Sequence, residues 1–347
     1  ELTWDINLTN PHLWNGMADP YLYTVAVTVG KDTAETEVGF RYFRMDPEKG
    51  FFLNGKSYPL RGVAMHQDLF EKATALDKSD FDRDYAIVRE LGCNFLRLAH
   101  YPHNDYAFRL CDRMGIVVQT EIPWVNNCGT EISEAYVQNI YDQMTEMVSS
   151  LYNHPSIVFW GMWNELDKWG HTRYNVQGLL DERRVLDETA RLYDFTKALD
   201  PYRFVGLTDD SVFENDHYSE LKADYYSENR YHGWYYNYGR FEIMSVAMKK
   251  INDKMGITNL AEYGPGVNPF CHTWKNEDIK RDKTDSLHFE EYGIRFHESH
   301  AAQIAVSPYL NFTSLWVLFD FPVAEREEGI VDSDNGIDFV VNPERKY

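Results

Sequence analysis

The spacing of apolar residues changes once along the chain, near residue 50. Before that point, residues 22–29 are rich in β-branched and aromatic side chains, the composition of a strand. Gly30-Lys31-Asp32 supplies a turn, and residues 37–44 read as another strand. Asn54-Gly55, with Phe51-Phe52-Leu53 before it and Lys56 after it, carries the strongest short hairpin signal. Beyond the hairpin, short apolar runs alternate with amphipathic stretches. Strands are predicted over 58–63, 94–98, 116–121, 157–163, 204–207, 225–229, 257–261 and 310–319. Helices are predicted over 78–91, 105–114, 133–152, 182–199, 241–255 and 290–306, with Gly92 and Pro201 as stops.

Eight strands interleaved with helices, in about 250 residues, describe a (β/α)8 TIM barrel. An open doubly wound sheet is the alternative, but no Gly-rich phosphate loop follows the first strand. The strands before residue 45 are too few for a sandwich of their own. The chain therefore reads as beginning inside a β domain. After Phe321 it turns polar and acidic and offers no eighth covering helix. Truncation at both ends is expected.

A barrel collects the ends of its strands on one face, where catalytic groups sit. The run 157–163 is apolar throughout, as in a strand buried on both faces, and stops abruptly at Asn164 and Glu165. A helix N-cap at Asn164 is the competing reading. The other strand ends decide between them. In order they offer His66; Arg97 and His100; Glu121 with Trp124; Asn229 and Tyr231; Glu262; and Trp316, with only the fifth strand contributing nothing. Glu262 repeats the pattern of Glu165, an apolar strand closed by a carboxylate. Strands four and seven bring the two carboxylates within about 5 Å, the separation used in double-displacement glycoside hydrolysis. That chemistry needs one carboxyl protonated and one ionised. Tyr231 is placed to donate to an ionised Glu262, and Asn164 to contact a sugar hydroxyl.

Other groups read more plainly. Arg97 is open between an ion pair with Glu121 and a substrate contact. Trp124 and Trp234 are open between core packing and the cleft wall. Asp209-Asp210 reads as a loop. His297 and His300 read as a solvated helix face, since no third metal ligand accompanies them.

Composition narrows the partners. A net charge of −21 excludes nucleic acid and anionic membrane surfaces, which need a basic face. No apolar run approaches the ~20 residues of a membrane helix. Aromatic residues make up 15% of the chain, enough to line a carbohydrate-sized cleft as well as a core. Cys93, Cys111, Cys128 and Cys271 have neither C-x-x-C nor zinc spacing and read as free thiols, a disulfide being the alternative.

Several of these segments together resemble glycoside hydrolase family 2, the β-galactosidases, β-glucuronidases and β-mannosidases. Asn10-Pro11-His12-Leu13-Trp14, Asp19-Pro20-Tyr21-Leu22-Tyr23 and Gly39-Phe40-Arg41 resemble the end of its immunoglobulin-like domain. Phe52-Leu53-Asn54-Gly55-Lys56 and Leu60-Arg61-Gly62-Val63 with His66 resemble its barrel entry. Asn94 through Pro102 and Leu110 through Gly115 resemble its second βα unit. Trp163-Asn164-Glu165 matches the acid/base motif and Glu262-Tyr263-Gly264 the nucleophile motif.

The resemblance implies that residues 1–45 are the C-terminal part of an immunoglobulin-like β-sandwich and 46–347 a truncated TIM-barrel catalytic domain. It makes Glu165 the acid/base and Glu262 the nucleophile of a retaining exo-β-glycosidase. His66, Arg97, His100, Glu121, Trp124, Asn164, Asn229, Tyr231 and Trp316 would form or support the sugar pocket. The segment from Asn229 to Tyr235 resembles the β-glucuronidase loop, which some β-galactosidases share. Family glucuronidases also grip the sugar carboxylate with an Asn-x-Lys pair after the last strand. None lies between Trp316 and Tyr347, and Asp332 to Asn335 is acidic there. The expectation is therefore a β-galactosidase acting on terminal β-D-galactosides, with an oligosaccharide or β-glycoside as its only small-molecule partner. A β-glucuronidase, another family 2 β-glycosidase and a non-catalytic carbohydrate-binding barrel are the alternatives. No cofactor is required. A divalent metal finds no ligand set, and Pro265 replaces the metal-linked histidine of some family β-galactosidases. Homo-oligomerisation and the cellular compartment are left open.

Overall fold

The alternation of strands and helices closes into a barrel. The structure, a computed structural model, describes residues 4–69, 72–126, 132–166, 182–210, 220–267, 272–273, 289–321, 330–332 and 337–340. Five strands precede the barrel: β1 (Tyr23–Val29), β2 (Asp32–Val38), β3 (Phe43–Asp46), β4 (Gly50–Leu53) and β5 (Lys56–Ser57). The barrel follows as β6 (Leu60–Met65), α1 (Lys78–Glu90), β7 (Phe95–Leu98), α2 (Asp105–Met114), β8 (Val117–Glu121), α3 (Glu134–Leu151) and β9 (Ile157–Asn164). It continues through α4 (Glu182–Leu199), β10 (Phe204–Asp209), β11 (Tyr225–Asn229), α5 (Ile243–Met255), β12 (Thr258–Glu262), α6 (Glu290–Ala305) and β13 (Phe312–Leu315). A two-stranded ribbon, β14 (Ile330–Asp332) and β15 (Ile337–Val340), comes last. Strands β6 to β13 pair in parallel and β13 returns to β6, closing the eight-stranded barrel.

Local chemistry sets the helix ends. Asp77 and Asp80 form a capping box at α1. Asn104 caps α2 and Ser133 caps α3. Helix α2 ends at Gly115 in the left-handed conformation, where a Cβ would lie 2.2 Å from the backbone of Gly16. Glycine is thus demanded twice there, by its φ and by the chain passing beneath.

That passing chain seals the N-terminal end of the barrel. Phe95, Phe159, Tyr225 and Phe312, one from every second strand, pack as an aromatic layer with ring centroids 4.6–6.0 Å apart. Phe51, Leu53, Leu60 and the fully buried Trp14 belong to the same cluster. The Trp14 indole donates to the Asp112 carbonyl. Arg41 donates to the carbonyls of Pro155 and Ile157, at the start of β9. Burial and the neighbouring Arg203 pull the Arg41 pKa down to about 9, which leaves it charged at neutral pH. A larger core lies between the strands and helices α1 to α4, with Trp160, Met162 and Trp163 at its centre.

Several expectations are corrected. The second strand is Asp32–Val38, not 37–44; its polar, solvent-facing residues carry no apolar period. The eighth barrel strand is only Phe312–Leu315. The fifth runs on to Asp209, a buried carboxylate rather than a loop residue. His300 is not solvated: it is fully buried, stacked on Phe296 and Tyr263. Cys93 and Cys111 are buried free thiols. Cys128, Cys271 and most of the acidic stretch from Asp332 to Asn335 lie outside the described residues.

Trp14→Ala should lower the unfolding free energy by about 3–5 kcal/mol, because it empties the barrel floor and removes a buried hydrogen bond. Urea denaturation followed by tryptophan fluorescence measures this; a change below ~1 kcal/mol would contradict the role given to the floor.

Candidate active site

Two irregularities aim the polar groups into the mouth. On β9, Phe159 and Gly161 face inward, whereas Met162 and Trp163 both pack in the outer core. Four residues of β9, Gly161 to Asn164, match three of β10, Gly206 to Thr208. This bulge turns Asn164 inward, where strict alternation would have turned it out. On β12, Leu260 packs outward, and Ala261 and Glu262 both face the interior. The register again shifts, with Leu260 opposite Glu228 and Glu262 opposite Asn229. Side-chain alternation along β9 and β12 is thus reset by one residue just before Asn164 and Glu262.

Arg97 stands at the centre. Its guanidinium donates to Glu262 Oε1 at 2.6 Å, Glu121 Oε1 at 2.9 Å and Asn164 Oδ1 at 2.8 Å. Gly161 makes room: a Cβ there would lie 2.6 Å from that of Glu121. Tyr231 donates to Glu262 Oε2 at 2.7 Å, so each oxygen of that carboxylate has a donor. Asn229 Nδ2 donates to Glu165 Oε1 at 2.7 Å. Glu165 itself has φ 47°, a left-handed conformation that costs a non-glycine residue ~1–3 kcal/mol, and its N–H is tied to the Thr208 carbonyl.

Aromatic rings wall one side. His100 stacks on Trp316 with centroids 5.1 Å apart, and His66 meets both edge-on. The peptide bonds Ala99–His100 and Trp316–Val317 are cis. His100 Nδ1 lies 2.9 Å from Glu121 Oε1, which makes Nδ1 the donor and points Nε2 toward Glu262, 3.9 Å away. The Gln67 N–H donates to the Tyr101 hydroxyl, which also shares a hydrogen bond of 3.2 Å with His66 Nδ1. Burial, with His100, His103 and Arg97 nearby, pulls the His66 pKa down to about 3, so this ring is neutral.

The carboxylates are separated electrostatically. Burial alone would raise Glu121, yet Arg97 and His100 hold it below its ordinary value. Burial raises Glu262; Arg97, His100 and Tyr231 oppose the rise, and the negative charge of Glu165 adds to it. Burial works against the Arg97 charge too, but Glu121 and Glu262 outweigh it and raise its pKa. The Arg97–Glu262 pair thus favours ionisation of both partners. Glu262 still ends above the usual value because burial, with the charge of Glu165 added, outweighs Arg97, His100 and Tyr231.

Ten of the eleven residues singled out from the sequence therefore meet at this mouth. Trp124 does not: its side chain is buried in the outer core, and only its carbonyl serves the site, accepting from the Asn164 N–H. Trp234 is likewise a core residue, packed with Tyr292 and Phe296. Sequence reasoning missed Asp68. This half-buried carboxyl, two residues beyond His66, is pushed up to about 6 by burial and Asp84. An acidic residue just past the first strand end was the available signal. Among the described residues, no group of three or more His, Cys, Asp or Glu is arranged to hold a metal ion, and no helix is long and apolar enough to cross a membrane.

Removing the central cation takes from two buried carboxylates the guanidinium they share, so Arg97→Met should destabilise the fold by roughly 3–5 kcal/mol at neutral pH. Glu121 has a depressed folded pKa. Its contribution is present above its unfolded pKa and is lost as pH falls through the folded value. The gap between variant and wild type should therefore narrow in acid. Denaturation midpoints from pH 7 to pH 3 measure it, and a gap that is constant or widens would contradict the assignment.

The comparisons with known proteins agree with this architecture. The profile described as "Glycosyl hydrolases family 2, TIM barrel domain" matches residues 46–265, and the one described as "Glycosyl hydrolases family 2" matches residues 1–41. A β-glucuronidase of Bacteroides fragilis is 32% identical over 338 residues, covering 93% of this chain and 45% of that protein. Among solved structures, Bacteroides uniformis β-glucuronidase 3 superposes with a TM-score of 0.82 at 28% identity, covering 94% of this chain and 42% of that one. A putative β-galactosidase from Bacteroides fragilis superposes with a TM-score of 0.79 at 31% identity, covering 91% and 45%. The chain spans less than half the length of each of these proteins. By its two profile matches and its barrel, the chain belongs to glycoside hydrolase family 2.

Proposed function

We propose that the chain carries the catalytic barrel of a retaining β-glycosidase, with Glu262 as nucleophile and Glu165 as acid/base. The observation that carries the reading is the company of Glu262, which Arg97 and Tyr231 hold at its two oxygens as groups that stabilise a carboxylate anion. In the first step a Glu262 oxygen bonds to the anomeric carbon. The bond from that carbon to the leaving oxygen breaks, and the leaving oxygen takes the Glu165 proton. In the second step a water oxygen bonds to the same carbon and gives a proton to Glu165, and the ester electron pair returns to Glu262. His66, His100, Trp316 and the Asn164 amide border the sugar; Arg97 and Glu121, both buried, act from behind.

The sugar is proposed to be a β-D-glucuronide, in line with the names of the Bacteroides fragilis and Bacteroides uniformis relatives. A β-D-galactoside is the second reading. It is favoured by the acidic residues Asp332 and Asp334, whose charge would repel a sugar carboxylate, and by a His66 that is neutral rather than cationic.

A panel of 4-nitrophenyl β-glycosides tests both. The glucuronide should give the highest kcat/KM; a galactoside faster by tenfold would establish the second reading, and hydrolysis of neither would overturn the enzyme assignment. Glu262→Gln should lower kcat by ~10³-fold or more. Tyr231→Phe removes a donor that favours ionised Glu262, so the acid limb of kcat/KM should move to higher pH. A limb that stays in place or moves down would contradict the Tyr231 role.

A further inference from the structure

We infer that Asn229 is a positioning residue for Glu165, with its amide hydrogens committed to the protein and not to the sugar. The inference rests on the retaining mechanism proposed above. Asn229 closes β11 at the mouth, but it is only 1% exposed. Its Nδ2 lies 2.7 Å from Glu165 Oε1 and 3.2 Å from Asn164 Oδ1. An amide nitrogen carries two hydrogens, and both have acceptors here. Neither hydrogen is left to donate to an oxygen of the substrate.

The orientation of the amide follows from its neighbours. Arg97 can only donate, and it lies 2.8 Å from Asn164 Oδ1, so that atom is an acceptor. Asn229 must then turn Nδ2 toward it, since the opposite orientation would set three oxygens against one another. The result is a connected chain: Arg97 holds Glu262, Arg97 and Asn229 share Asn164 Oδ1, and Asn229 holds Glu165. The neighbouring backbone is tied in as well, with the Arg230 N–H donating to the Glu262 carbonyl at 2.8 Å.

The chemical consequence concerns which oxygen carries the proton. An N–H already occupies Glu165 Oε1, so the transferable proton resides on Oε2. When Oε2–H gives its proton to the leaving oxygen, the carboxylate formed keeps the Asn229 donor at Oε1, now as a charge-assisted bond. Asn229 thus fixes both the direction of the acid and the charge it acquires. This help matters only when the leaving group needs a proton.

The test is the leaving-group dependence of Asn229→Ala and Asn229→Ser, read as kcat/KM. The substrates are 2,4-dinitrophenyl, 4-nitrophenyl and phenyl glycosides of one sugar, used with the full-length protein. The product anomer from the wild type is first identified by NMR. An inverted product or no hydrolysis would refute the mechanism and leave the role of Asn229 without a basis. With retention established, both variants should lose ~10²-fold or more on the phenyl glycoside, in the range of general acid catalysis. They should stay within a few-fold of wild type on the dinitrophenyl glycoside, which also shows that they fold. Equal losses on all three substrates, at an unchanged melting temperature, would make Asn229 a sugar contact. Unchanged kinetics would deny it any role. Should Asn229→Ala fail to fold, the same comparison in Asn229→Ser decides.

Discussion

A guanidinium buried inside a barrel needs anions around it, and the architecture of this mouth follows from that need. Transfer of an unpaired charge into such a place would cost far more than a domain's whole stability. Arg97 is tolerated because Glu121 and Glu262 balance it and Asn164 takes a further N–H. The same contacts work in reverse: Arg97 is what allows two carboxylates to stand buried beside each other. Charge balance at the mouth is therefore shared, and no member of the group is independent of the rest.

The group also needs a rigid frame. The aromatic layer of Phe95, Phe159, Tyr225 and Phe312 supplies a packed floor at the far end of the barrel. Above it, Gly161 leaves the space that Glu121 fills. Bulges in β9 and β12 then turn Asn164 and Glu262 inward. Residues that come before the barrel take part as well, since Trp14 fastens the end of α2 and Arg41 the start of β9, whose other end leads into Glu165.

Much of this was readable in the chain itself. Buried parallel strands are apolar, so an abrupt polar ending is conspicuous, and Glu165 and Glu262 stood out for that reason. The Asn54-Gly55 hairpin was equally plain: both residues have positive φ and join β4 to β5. What escaped notice depends on tertiary contacts. A bulge leaves no mark in composition, so the inward turn of Asn164 could not be derived from alternation. Arg97 could be placed inside the barrel, but its simultaneous hold on Glu262, Glu121 and Asn164 needed three other strands. His300 reads wrongly as solvated, and Trp124 stays open, because polar or aromatic residues on a helix face or strand end pack either way and only their neighbours decide. The β2 strand was misplaced because a solvent-facing hairpin has no apolar period to reveal it.

The central claim is that the carboxylate held between Arg97 and Tyr231 is the one that bonds to the sugar. A 2-deoxy-2-fluoro β-glycoside with a good leaving group, of the sugar that the wild type hydrolyses, slows release of the glycosyl-enzyme and lets it accumulate. Peptide mapping by mass spectrometry should then find the added mass on Glu262. A stable adduct on any other residue, or turnover with no adduct and an inverted product, would contradict the account.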